Sequence, residues 1–110
     1  MPLYLGRFGY TPDAWAKLIA DPEEDRTKAA TEAVESLGGM LHGLWWTFGD
    51  CDGYWLGELP DNVSAAAVTI AVAGSGTMRL NETHVLLTAE ELGGALQKAK
   101  TVSFRPPGAT

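Results

Sequence analysis

The sequence predicts an α+β domain with the order β-α-β-β-α-β and one further helix at the C-terminus. Four short stretches rich in aromatic and aliphatic residues are bounded by Gly, Asp and Pro, which is how strands are written. Between them lie alanine-rich stretches with apolar residues at helical spacing and capping residues at their starts. A chain of 110 residues, 45% hydrophobic and 20% charged, suits one domain with a modest core.

Leu3–Tyr10 reads as the first strand, too short and too aromatic for a helix, with Gly6 and Gly9 marking a close backbone approach or a bulge. Thr11-Pro12 starts a helix, Thr11 as N-cap and Pro12 at its first position, and Trp15, Leu18 and Ile19 give it one apolar face. Asp21-Pro22-Glu23-Glu24 has capping-box spacing and predicts a helix restart, carried on by Ala30, Ala33 and Leu37 and ended by Gly38-Gly39. Residues 40–48 are a strand with large apolar side chains on both faces. Residues 49–53 are a hairpin turn, and 54–59 the return strand. A helix over 63–73 follows Pro60-Asp61-Asn62 and closes at Gly74-Ser75-Gly76, and residues 78–87 are the fourth strand. Thr88-Ala89-Glu90-Glu91 is a capping box, and Leu92, Ala95, Leu96 and Ala99 form the buried stripe of the last helix. The domain is set at residues 1–100, with 101–110 as a flexible tail around Pro106-Pro107-Gly108.

This order is the split βαβ pattern of ferredoxin-like folds, in which helices cover one face of an antiparallel sheet. A turn centred on Cys51 pairs Phe48 with Tyr54, Trp46 with Leu56 and Leu44 with Glu58. Leu41, Trp45, Trp55 and Leu59 then share the opposite face. Neither face is designed for water, so the sequence predicts a homodimer through the sheet.

Composition narrows the partners. A net charge of −6, with eight Lys and Arg scattered along the chain, argues against nucleic acid and against a membrane surface. One cysteine, Cys51, excludes an internal disulfide and a cysteine-rich zinc site. His42 and His84 lack ligand-spaced neighbours, so no metal is expected. Gly74-Ser75-Gly76 has neither the lysine of a P-loop nor dinucleotide-site spacing, so no cofactor is expected either. The N-terminus has no signal-peptide pattern, and the longest apolar run is about 11 residues against the roughly 20 of a membrane span. The cytoplasm is the expected compartment.

The stretch from Gly38-Gly39 through Trp46-Thr47-Phe48-Gly49-Asp50-Cys51-Asp52 to Glu58-Leu59-Pro60-Asp61 resembles the GYD domain family. The resemblance runs from the strand ending Tyr10-Thr11-Pro12 to Leu87-Thr88-Ala89-Glu90-Glu91, nearly the whole chain. It implies a dimeric α/β barrel, two ferredoxin-like sheets packed face to face, and adds little chemistry. The family's Gly-x-Tyr-Asp element maps onto Gly49, Asp50, Cys51 and Asp52, with Cys51 standing where tyrosine is expected.

His42 and Glu58 are the most suggestive polar pair, since a carboxylate beside an imidazole suits a general base. His84, two residues after Glu82, is a second candidate proton carrier. Trp15, Trp46, Tyr10 and Tyr54 are candidates to line a pocket for a flat, aromatic or apolar molecule, closed between sheet and helices. Cys51, flanked by two acids, makes a poor nucleophile, and its turn reads as structural. Three readings stand. One is a homodimeric module binding a small apolar or aromatic molecule. Another is a cofactor-independent enzyme, monooxygenase- or isomerase-like, in which His42 or His84 moves a proton and Tyr10 or Tyr54 orients the substrate. The third is a purely structural dimer.

Overall fold

Each helix in the computed structural model, which describes residues 1–108, begins at an oxygen-bearing side chain that takes an otherwise unpaired N–H. Thr11 caps α1 (Pro12–Ala20) and Asp25 caps α2 (Arg26–Glu35). Asp61 caps α3 (Asn62–Gly74), and Thr88 with Glu91 completes a reciprocal box at α4 (Ala89–Ala99). The strands are β1 (Leu3–Tyr10), β2 (Met40–Trp46), β3 (Gly53–Glu58) and β4 (Met78–Leu86). The second helix starts later than Asp21-Pro22-Glu23-Glu24 suggests. Asp25, not Asp21, accepts the Lys28 N–H at 2.9 Å, and residues 21–24 form a turn closed by Glu24 N–H to Asp21 O at 3.1 Å.

The four strands form one antiparallel sheet in the order β2-β3-β1-β4, consistent with the ferredoxin-like fold. On β1 the even residues Tyr4, Phe8 and Tyr10 are buried beneath the helices. Tyr4 packs with Val34, Leu59 and Ala65, and Phe8 and Tyr10 pack with Ala14. Trp55 bridges the two clusters. It does so because Gly6 has no side chain: a Cβ there would overlap the indole.

The hairpin register differs from the one a turn centred on Cys51 predicts. Trp46 pairs with Gly53, Trp45 with Tyr54 and Leu44 with Trp55, so even positions meet odd ones. The predicted grouping of Trp45 with Trp55 fails: Trp45 stands with Tyr54 on the open face, while Trp55, Leu41, Leu59 and Trp46 belong to the helix side. The cause is that Cys51 and Asp52 turn inward instead of tipping the hairpin. Cys51 is buried, the Asp52 N–H donates to Phe8 O at 2.8 Å, and the Thr47 N–H donates to Asp52 O at 2.9 Å. A bulge between Leu41 and Gly43 then adds His42 to β2.

The Asp52 carboxylate ties three elements to the β2–β3 loop. It accepts the Tyr10 N–H at 2.8 Å and Trp15 Nε1–H at 3.3 Å, and Arg79 at 3.3 Å. The last helix differs most from expectation. Leu92, Ala95, Leu96 and Ala99 are all exposed, and no α4 residue is buried.

Replacing Asp52 by Ala removes all three bonds, and urea denaturation is expected to show a loss of about 2–3 kcal/mol. Asp52→Asn keeps an acceptor for Tyr10 and Trp15 and loses less. A loss below about 0.5 kcal/mol for Ala would mean that other contacts hold the turn.

Candidate functional site

Small side chains on two helices create an apolar hollow. α2 leans on β2 and α3 on β4, and Ala29, Ala30 and Ala33 of α2 face Ala67 and Ala71 of α3 across the gap. The result is a cavity of about 540 Å³ over the middle of the sheet. Tyr10, Trp55, Val68 and Met78 supply apolar wall. Its polar corner comes from α3 and β4. Thr69 Oγ1 donates to Ala65 O at 3.0 Å, so in its 2.7 Å contact with Thr83 Oγ1 the Thr83 hydroxyl is the donor. Asn81 Nδ2 donates to Thr69 O at 2.9 Å, which directs its amide and leaves Oδ1 with no donor among the described residues.

An aromatic cluster closes one end. Tyr10 stacks on Trp46 with ring centroids 5.7 Å apart and meets Trp15 edge-on at 5.2 Å; Phe8 meets Trp46 edge-on at 5.5 Å. Beyond it lies a second cleft of about 600 Å³, lined by Trp15, Trp46, Phe48, Asp21 and Glu24. Arg26 borders both hollows.

The opposite face of the sheet carries both histidines and their charged partners. His42 Nε2 lies 2.8 Å from Glu58 Oε2 at the β2 side. The bulge at His42 brings the two together, not the straight diagonal pairing expected from the sequence. At the β4 side Glu82 accepts from Arg7 at 3.2 Å and contacts His84 Nε2 at 3.2 Å. These bonds hold the Glu82 carboxyl below its ordinary value, the His84 bond first and the Arg7 bond next. The Arg7 guanidinium is held above its own ordinary value, chiefly by Tyr54 and then by Glu82.

The structure therefore divides the sequence-predicted residues into two sets. Tyr10, Trp15 and Trp46 come together on the helix side. His42, Glu58, Tyr54 and His84 lie on the open face, where Leu5 and Leu56 of β1 and β3 stand in the row between Gly43 and His84. His42 and His84 do not share one site. Sequence reasoning missed Arg7, Thr69, Asn81, Thr83 and the inward role of Asp52. Only the alternation along β4, with Asn81 and Thr83 on one face and Glu82 and His84 on the other, hinted at any of them.

A family model described as GYD domain matches residues 4–96, which takes in the sheet, the cavity, the Asp52 turn and most of α4. This chain belongs to the GYD domain family. No curated protein matches it. In this GYD domain the Gly49–Asp52 segment is structural at both ends: Gly49 adopts a φ of +124° and Asp52 makes the bonds described above. Cys51, between them, is buried. Among the described residues no helix is long and apolar enough to cross a membrane, and no three His, Cys, Asp or Glu side chains cluster closely enough to hold a metal ion.

The lowered Glu82 sets a pH prediction. A carboxyl depressed on folding contributes stability above its ordinary value near 4.5, and that contribution is lost as pH falls through the folded value. Glu82→Gln is expected to flatten the acid limb of the stability curve below about pH 4.5, leaving the part due to Asp61, also lowered, by the Ser64 N–H it caps. Superimposable acid limbs for the two proteins would refute the assignment.

Proposed function

We propose that this GYD domain is a homodimeric, cytoplasmic module that binds a small apolar or aromatic molecule in the cavity between α2, α3 and the sheet. The cavity carries the reading. Its volume of about 540 Å³ falls within the roughly 300–1,000 Å³ of small-molecule sites, and it combines apolar walls with a few convergent polar groups. Trp55 offers a flat surface for a ring, and Asn81 and Thr83 offer acceptors for one polar substituent. The open face supports the dimer. Met40 and Trp45 are 52% and 54% exposed there, beside Tyr54, Leu5 and Leu56, on a sheet face that no helix covers.

A second reading, a cofactor-independent enzyme acting on a small apolar metabolite, draws on the 2.8 Å contact of His42 with Glu58. Under it His42 takes the proton and Glu58 steadies the imidazolium. A His42→Ala variant that keeps ligand but loses turnover supports the enzyme; one that alters neither removes this reading.

Native mass spectrometry of the protein as purified tests the binding module. A dimer with a reproducible added mass supports it. Ala33→Trp, which fills the hollow from α2, is expected to abolish that mass and to weaken binding of 1-naphthol at least about tenfold in a fluorescence titration. Unchanged naphthol affinity in Ala33→Trp would place binding elsewhere.

A further inference from the structure

We propose that α4 and the segment after it form an arm that docks on a second copy of this chain, at the β2 side of the open sheet face. The inference rests on the dimer reading and adds to it the element that fastens the two copies.

An 11-residue helix with Gly93-Gly94 at its centre is marginal in water, since helices this short draw most of their stability from packing. Yet no residue of α4 is buried against the described part of its own chain. Leu92 and Leu96 are 52% and 59% exposed, and Phe104 beyond them is 76% exposed. The arm also stretches the molecule. The radius of gyration is 17.8 Å and the longest extent 61 Å, against a radius of about 13 Å for a compact domain of this length.

Area and charge point to the occupant. The chain exposes 7650 Å², about 1,800 Å² more than the ~5,900 Å² of a compact monomer of its mass. That excess is ample for a stable dimer, which needs about 800 Å² from each partner. The sequence before Ala89 holds twelve acidic and five basic residues, and from Ala89 on two acidic and three basic, together the net −6. The arm thus carries a net charge of +1, placed by Lys98, Lys100 and Arg105 toward its end, while the rest of the chain is net acidic, and a second acidic body is its complement.

Topology gives the place. Leu86, Leu3, Glu58 and Met40 form one row across the sheet, so β4 delivers α4 at the same end where β2 begins. A twofold axis parallel to the strands of two facing sheets sets β4 of one copy over β2 of the other. The Leu92–Leu96 stripe then meets the partner's Met40 and Trp45.

Hydrogen exchange of the full chain, followed by mass spectrometry across a dilution series, tests this. The α4 amides are expected to exchange about 100-fold slower in the dimer than in the monomer, losing protection as the dimer dissociates. The double variant Leu92→Asp, Leu96→Asp is expected to weaken the dimer at least about tenfold while β1 amides stay protected. Protection that survives dilution to monomer would mean the arm folds back on its own chain, and overturns the proposal. A dimer with unprotected α4, or one indifferent to the double variant, overturns the arm and leaves the sheet dimer standing. A monomer at every concentration removes both.

Discussion

The carboxylate of Asp52 is the constraint on which the sheet's arrangement depends. One side chain holds the last N–H of β1, the indole of α1 and the guanidinium at the start of β4, while its own backbone closes the β2–β3 loop. An acceptor with three donors is costly to leave unmade, so the loop is drawn inward and Cys51 is buried with it. The β2–β3 register follows, and from the register follows which aromatic side chain faces the helices and which faces outward.

That choice separates two environments on one sheet. The helix side holds aromatic rings, alanines and a small hydroxyl–amide corner around an apolar hollow, with Arg26 at its border. The open side holds every histidine and the Arg7–Glu82–His84 and His42–Glu58 pairs among exposed Met40 and Trp45. The proposed binding of an apolar molecule would use the first environment. Proton transfer, if the domain performs it, belongs with the second, where a facing copy would exclude water and strengthen the ion pairs.

Small residues shape both sides. Gly6 admits the Trp55 ring onto the sheet, and the alanines of α2 and α3 leave the space above that ring empty. Larger residues at these positions would have filled the core of an 110-residue domain and raised its stability. The hollow therefore follows from the small residues on both helices.

Element order, strand count and two of the four caps, Thr11 and Thr88, were legible along the chain, because capping, helical periodicity and turn composition act within a few residues. The contact of His42 with Glu58 was legible too, although the bulge that makes it was not. Register and face were decided elsewhere. Nothing local in Gly49-Asp50-Cys51-Asp52 says that Asp52 will bond to residues 42 positions earlier and 27 later, and those long-range bonds shift the hairpin. The α4 stripe shows the same division. Its periodicity wrote an amphipathic helix into the sequence, whereas the surface that receives it is a matter of tertiary and quaternary geometry, because burying an apolar stripe requires a partner that periodicity does not name.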